Sequence, residues 1–321
     1  MKAVILDAAS LGDDVDLTPI AAVVDELVIH QHTDPEQCLP RLEGAQAAIS
    51  NKVVLDAGVL SALPGLELIC VMATGTNNID TEAAARLGIA VRNITAYGTA
   101  SVAQHTMMLM LALANRLPCY QHDISVGRWQ QSAAFCLMNH KTLQLAGKHL
   151  VIAGQGELGQ RVAQLAAAFG MRVSFCARPG NEANDSRPAL TRLAPTADVI
   201  SLHCPLTEHT RHLIDTRILN ALQPGALLIN CARGGIVDDE AALSALRDGR
   251  LGGLGVDVLP NEPPRDGHVL LDALQDGLNL IVTPHNAWIT PEARQTVVDM
   301  TAANLRQAKV QAQVQAQAPD A

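Results

Sequence analysis

The stretch His149-Leu-Val-Ile-Ala-Gly-Gln-Gly-Glu-Leu-Gly159 decides the architecture. Its first half is a short apolar run rich in β-branched residues, the pattern of a buried parallel strand. Its second half is a GxGxxG turn that opens a helix, expected to end near Gly170. Gly154 permits the tight turn, Gly156 lets a pyrophosphate approach the backbone, and Gly159 allows close helix–strand packing. The helix N-terminus adds a favourable field for phosphate. In this strand–turn–helix context the glycines read as a dinucleotide-binding loop rather than a mere turn.

Strand-like and helical segments alternate outward from this point. Strands are expected at 149–153, 172–176, 198–203, 226–230, 253–258 and 280–283, with a helix over 238–248 capped by Asp238 and closed by Gly249. An earlier series puts strands at 2–6, 27–30, 46–50, 68–72 and 89–92, with a helix from Asp80 to Leu87 closed by Gly88. Such alternation means parallel sheets built of βαβ units. Between the two series lies an apolar stretch read as a buried helix, with Ser101 as N-cap, Gln104 completing a capping box and Pro118 as its stop. Residues 120–146, with Trp129 and Phe135, read as an irregular arm that packs on a partner subunit. A final helix over 291–308 follows Pro291 and returns to the front domain. The tail from Ala308, low in complexity, is expected to fray.

The chain has 321 residues, enough for two domains, and a formal net charge of −9 with acids and bases well mixed. A nucleic-acid partner needs a basic face, which this balance does not supply. Seven cysteines without framework spacing fit reduced thiols in a cytoplasmic protein. The most apolar stretch, Met107 to Ala114, is far short of the roughly 20 residues that span a bilayer.

Three strand ends deliver chemistry to one edge. Arg233 follows Ala226-Leu-Leu-Ile-Asn230, Glu262 follows Leu254-Gly-Val-Asp-Val258, and His285 follows Leu280-Ile-Val-Thr283. Ligands of open α/β sheets gather outside the carboxyl ends of the strands. A guanidinium there can grip a carboxylate in a bidentate manner. A carboxylate beside an imidazole favours the protonated ring, which can donate a proton to a carbonyl oxygen. No second ligand stands at usual spacing from His285, so no metal site is expected. The dinucleotide fingerprint also asks for an acid at the end of the second strand, to hold the ribose 2′-hydroxyl. Ala177 and Arg178 stand there instead. An arginine can accept a 2′-phosphate, which favours NADP over NAD. The plain alternative is that Arg178 is a solvated loop residue.

Together these motifs resemble the D-isomer-specific 2-hydroxyacid dehydrogenases along nearly the whole chain. The resemblance is carried by Ala73-Thr-Gly-Thr-Asn-Asn-Ile-Asp80, Ser101-Val-Ala-Gln-His105, the glycine loop, His203-Cys-Pro-Leu206, the Arg233 and Glu262 loops and Thr283-Pro-His285. Asn51-Lys-Val-Val54, Gly127-Arg-Trp129 and Trp288 look most like the glycerate dehydrogenase/hydroxypyruvate reductase branch. The resemblance implies an α/β protein of two doubly wound parallel-sheet domains. One is a flavodoxin-like substrate domain, 1–100 plus 291–321; the other is an inserted NAD(P)-binding Rossmann domain, 101–290. It implies a homodimer and a catalytic set of Arg233, Glu262 and His285. It implies cofactor contacts from Thr106, Gly154, Gly156, Glu157, Leu158, Gly159, Ala177, Arg178, His203, Cys204, Pro205, Thr210, Cys231, Ala232, Asp257 and Ala287. Lys52, Thr74, Gly75 and Trp288 would join Arg233 and His285 around the substrate. Gln104 stands where the family usually has Glu, and Ala177 where NAD-dependent members usually have Asp.

The expected activity is reversible reduction of a small 2-oxo acid, hydroxypyruvate or glyoxylate, to the D-2-hydroxy acid with NAD(P)H. Two alternatives stay open: oxidation of another small anion such as phosphite or formate, and a non-catalytic dinucleotide-sensing interaction protein.

Overall fold

The structure, a computed structural model, describes residues 1–317 and divides into two compact units. The first comprises Met1–Gly98 and Ile289–Ala321, the second Thr99–Trp288. The ends of the chain thus share one unit, and the other is inserted between them.

Five parallel strands form the first unit's sheet: β1 (Lys2–Ile5), β2 (Glu26–Ile29), β3 (Ala47–Ser50), β4 (Leu68–Val71) and β5 (Ala90–Arg92), in the order β2-β1-β3-β4-β5. That is the flavodoxin-like order. The central strands are buried on both faces, which is why β3 and β4 carry hydrophobic residues without alternation. Asp56 and Asp80 each cap a helix by accepting from a backbone N–H, and Gly88 takes the left-handed backbone that follows the second. The last helix runs Pro291–Gln317, further than expected. The expected fraying tail is therefore helical as far as Gln317, and residues 318–321 lie outside the described part.

The second unit holds β6 (His149–Ala153), β7 (Arg172–Phe175), β8 (Val199–Leu202), β9 (Ala226–Asn230), β10 (Leu251–Val256) and β11 (Leu280–Val282). All pair in parallel, in the order β11-β10-β9-β8-β6-β7. The order reverses at β6, the strand that feeds the glycine loop, with β7 on one side of it and β8 on the other. That switch point is where doubly wound sheets bind ligands. A six-stranded dinucleotide fold usually sets a further strand beyond β7. Here short helical turns at Glu182–Asn184 and Leu190–Leu193 occupy the connection from β7 to β8. Alternate residues of β6 enter two cores. Val151 and Ala153 pack with Ile200, Leu228 and Leu254, whereas Leu150 and Ile152 pack with Val199, Leu227 and Ile229.

The apolar helix runs Thr99–Ala114 and lies on the second of these faces. Gly253 and Gly255 make room for it: a Cβ at either would come within 3.2 Å of Leu113. Its beginning differs from the expected Ser101 cap. Ser101 is the third residue of the helix, and its hydroxyl donates to the Ala287 carbonyl (2.6 Å), so it is not available for capping. Its end also differs. Arg116 adopts a left-handed backbone (φ 55°) that breaks the helix, and Pro118 then opens a second helix, Leu117–Ser125. The segment expected to be irregular from residue 120 is therefore helical as far as Ser125 and irregular beyond it. The buried Asp123 carboxylate organises it by accepting from Arg128, Asn139 and His140.

Candidate active site

The edge formed by the carboxyl ends of β6 to β11 carries nearly all the residues singled out above. The glycine loop meets its expected packing. A Cβ on Gly154 would lie 2.3 Å from the His203 carbonyl oxygen, and one on Gly159 would lie 2.0 Å from the Gly154 carbonyl oxygen. Backbone φ at Gly154 is 109°, open only to glycine. Gly156 faces open space, with nothing within 4 Å of a Cβ placed there. Two glycines therefore pack against the chain itself, and the third leaves a bare cradle at the N-terminus of the helix Glu157–Ala168. That division suits a pyrophosphate. Glu157 accepts from the Thr99 hydroxyl (2.9 Å), Leu158 is half-buried in the core beside the loop, and Ala177 is buried.

Past β8, the His203 ring is bonded through Nε2 to the Ser201 hydroxyl (2.8 Å), and its Nδ1 is buried with no protein partner. Burial holds this ring down to about 4, so it is neutral at physiological pH. Cys204 is buried beside it, with Pro205 in the loop that follows. Thr210 folds that loop by donating to the Pro205 carbonyl (2.7 Å) and accepting from Thr207 N–H (2.7 Å). Cys231 and Ala232 are buried after β9. Burial pushes the Cys231 thiol up to about 12, so it is a packing group and not a thiolate. Thr106 is fully buried, and its hydroxyl donates to Val102 O (2.8 Å) within its own helix.

Arg233 is exposed in the loop after β9, with Nη1 on the Ala232 carbonyl (2.7 Å). The loop is tied by Asn230, whose amide donates to Arg233 O (2.9 Å) and whose carbonyl accepts from Ala232 N–H (3.0 Å). Gly234 then touches the next loop directly. A Cβ there would lie 2.1 to 2.3 Å from the backbone of Leu259 and Pro260. Glu262 stands two residues beyond Pro260. Its Oε1 accepts from Leu259 N–H (2.8 Å) and its Oε2 from His285 Nδ1 (2.6 Å). About a third of each side chain is exposed. The Glu262 and His285 side chains thus meet, and the Arg233 loop packs on the Glu262 loop through Gly234.

Sequence reasoning missed how His285 is held. Asp257, expected only as a cofactor contact, is 2% exposed and gathers the whole β11 loop. Its carboxylate accepts from the Thr283 hydroxyl (2.6 Å), Asn286 N–H (3.0 Å) and Ala287 N–H (3.1 Å), and its carbonyl accepts from His285 N–H (2.8 Å). His285 itself has a left-handed backbone, φ 53°. The signal that could have shown this was the acid at the very end of β10, one strand away from His285.

Within the first unit, buried Asp7 accepts from the backbone N–H groups of Asn51, Lys52 and Val53, fixing the Lys52 loop. The Thr74–Gly75 turn is fixed by Asn93, whose amide donates to Thr74 O (2.7 Å). Trp288 closes the second unit.

A doubly wound sheet with a phosphate cradle, and an Arg, Glu and His grouped on neighbouring strand ends, defines a nicotinamide-dependent oxidoreductase. Comparison with known proteins agrees. Residues 107–287 match the model of the D-isomer specific 2-hydroxyacid dehydrogenase NAD-binding domain. The glycerate dehydrogenase of Methylorubrum extorquens is 43% identical over 84% of this chain and 85% of its own length. The hydroxypyruvate reductase of Blautia hydrogenotrophica is 30% identical over 96% of each. Among solved structures, the NADPH-dependent glyoxylate/hydroxypyruvate reductase of Sinorhizobium meliloti, determined with NADP and malonate, superposes with a TM-score of 0.76. It is 25% identical over 95% of this chain and 92% of that one. This chain belongs to the D-isomer specific 2-hydroxyacid dehydrogenase family.

Proposed function

We propose that this protein reduces a small 2-oxo acid, hydroxypyruvate or glyoxylate, to the D-2-hydroxy acid, with NADPH favoured over NADH, and catalyses the reverse oxidation. The observation that carries this reading is the 2.6 Å pair of His285 Nδ1 and Glu262 Oε2 beside the Arg233 loop. The relatives named above act on such acids by name. The nicotinamide, when bound, supplies the hydride. Arg233 grips the substrate carboxylate and orients the carbonyl. Glu262 keeps the proton on Nδ1 and sets the ring's angle, so that Nε2 exchanges a proton with the substrate oxygen. Lys52, Thr74, Gly75 and Trp288 would shape the substrate's surroundings. The cofactor would be held by the glycine loop and the loops after β7, β8, β9 and β11. The first unit would be the substrate domain and the second the cofactor domain.

A homodimer fits the arm after Ser125, where Trp129, Phe135 and Met138 are 51%, 90% and 82% exposed. A cytoplasmic, reducing setting fits seven unpaired cysteines, and among the described residues no helix is long and apolar enough to cross a membrane. The direct test follows oxidation of NADPH and NADH in parallel with hydroxypyruvate and glyoxylate. Turnover supports the proposal. A protein that binds dinucleotide but turns over phosphite, formate or nothing rejects it, and His285→Ala with unchanged turnover rejects the role of the imidazole.

A further inference from the structure

The loop after β7 contains an acid after all, eight residues beyond Ala177. Ala177 N–H donates to Pro188 O (2.8 Å), so residues 177–188 form a closed excursion that returns to the strand end. Inside it, Asp185 Oδ2 accepts from the Arg178 backbone N–H (2.8 Å), and Oδ1 accepts from the Arg187 backbone N–H (3.0 Å). The Arg187 guanidinium then closes on the same carboxylate, Nε on Oδ1 (2.8 Å) and Nη2 on Oδ2. Its Nη1 reaches into the glycine loop and donates to Gln155 Oε1 (2.7 Å). Asp185 is thus placed between the glycine loop and the end of the second strand, where a dinucleotide-binding fold holds the adenosine ribose.

We propose that Arg187 sets cofactor choice, by occupying Asp185 and presenting its remaining N–H groups, with Arg178, to a 2′-phosphate. This rests on the second unit being a dinucleotide-binding domain. A carboxylate has about four acceptor positions. Asp185 already receives four N–H bonds, so none is left for ribose hydroxyls. Its negative charge is matched by a bidentate guanidinium, and its side chain is only 10% exposed. The Arg187 hydrogen bonds hold the Asp185 carboxyl well below the usual carboxylate range, so the pair stays ionised. A guanidinium has five N–H donors. Three are engaged, and the Arg187 side chain, 27% exposed, keeps two for a ligand. Arg178 adds a second, exposed guanidinium to the same excursion, while Glu182 there is turned onto Gly180 N–H (3.2 Å). The acid that would select NAD is therefore present and neutralised, and the N–H donors left on two guanidiniums suit a phosphate.

The test measures dissociation constants for NADPH and NADH by calorimetry, with no 2-oxo acid present. The ratio of the two constants does not depend on the folded fraction of a variant. Arg187→Ala should free Asp185 to repel a phosphate and to accept ribose hydroxyls. The expected result is NADPH binding weakened ~10- to 100-fold, the scale of a lost charge-assisted contact, with NADH unchanged or tighter. The double variant D185A/R187A should recover part of the NADPH affinity, since the repelling charge is gone. Equal weakening of both dinucleotides by Arg187→Ala would mean a structural strut and overturn the proposal, as would failure of the double variant to recover NADPH. A parent protein that binds neither dinucleotide overturns the proposed function along with it. Dinucleotide binding without turnover of any 2-oxo acid removes the proposed reaction alone.

Discussion

Glu262→Gln separates the electrostatics of the candidate site from its shape. The carboxylate accepts from Leu259 N–H at Oε1 and from His285 Nδ1 at Oε2. Glutamine has one oxygen and one NH2 group in the same places. If its oxygen stays on Leu259 N–H, the NH2 group faces Nδ1, which must then accept. The proton is forced to Nε2, and a ring protonated on both nitrogens meets a donor head-on. If the amide turns over, the Leu259 N–H loses its acceptor. Either way one hydrogen bond to a charged group is lost, about 1.5–3 kcal/mol for a buried pair. Both side chains are about a third exposed, and solvent screening brings this to roughly 1–2 kcal/mol. That corresponds to a ~5- to 30-fold loss in kcat/KM. The assay is steady-state reduction of hydroxypyruvate, with the NADPH dissociation constant as control for the fold. A kcat/KM within about twofold of the parent's would refute the reasoning, because it would mean that the 2.6 Å bond does nothing for turnover.

Asp257→Asn leaves at least one of its three donors facing an amide NH2, costing about 1–3 kcal/mol; thermal denaturation should show a Tm several degrees lower, and an unchanged Tm rejects the view of Asp257 as organiser of the His285 loop. Gly234→Ala drives a methyl into the Leu259–Pro260 backbone; turnover should fall at least ~10-fold, by displacing two loops that must align, while NADPH binding by calorimetry is retained. Asp239 gives a pH signature. It is paired with His268 Nε2 (3.3 Å), and burial, with the neighbouring Asp238 charge, raises it from 3.8 to about 7. A raised folded value means that the folded state holds the proton more tightly, so this stabilisation is complete below 3.8 and is lost as pH rises through about 7. Asp239→Asn should gain Tm relative to the parent across that window, and a Tm difference that stays flat with pH rejects the assignment.

Much of this molecule is legible in its sequence because strands and glycine turns are local. Each expected strand of both sheets appears within about two residues, since buried parallel strands are continuous apolar runs. The grouping of Arg233, Glu262 and His285 follows from topology alone, as successive parallel strands must end at one edge. The misses are of another kind. Ser101 and Gln104 match a capping box, yet the Ser101 hydroxyl is drawn to Ala287, 186 residues away. Asp185 lies past the point where the fingerprint expects an acid, and only the Ala177–Pro188 hydrogen bond brings it back. Asp257 shows its purpose only when β10 and β11 lie side by side. Hydrogen bonds that join separate loops, through side chains or backbone, leave no period in a sequence, so no hydrophobic pattern reveals them.

The left-handed backbone of His285 sets two kinds of selection against each other. A residue with a Cβ at φ 53° bears a cost of order 1 kcal/mol, which glycine escapes and asparagine reduces. Glycine or asparagine there would also lose the Glu262 hydrogen bond, roughly 1–2 kcal/mol, so relief of the backbone and retention of that bond pull position 285 in opposite directions. A library of this protein screened for heat resistance alone should therefore show no drift away from His at position 285.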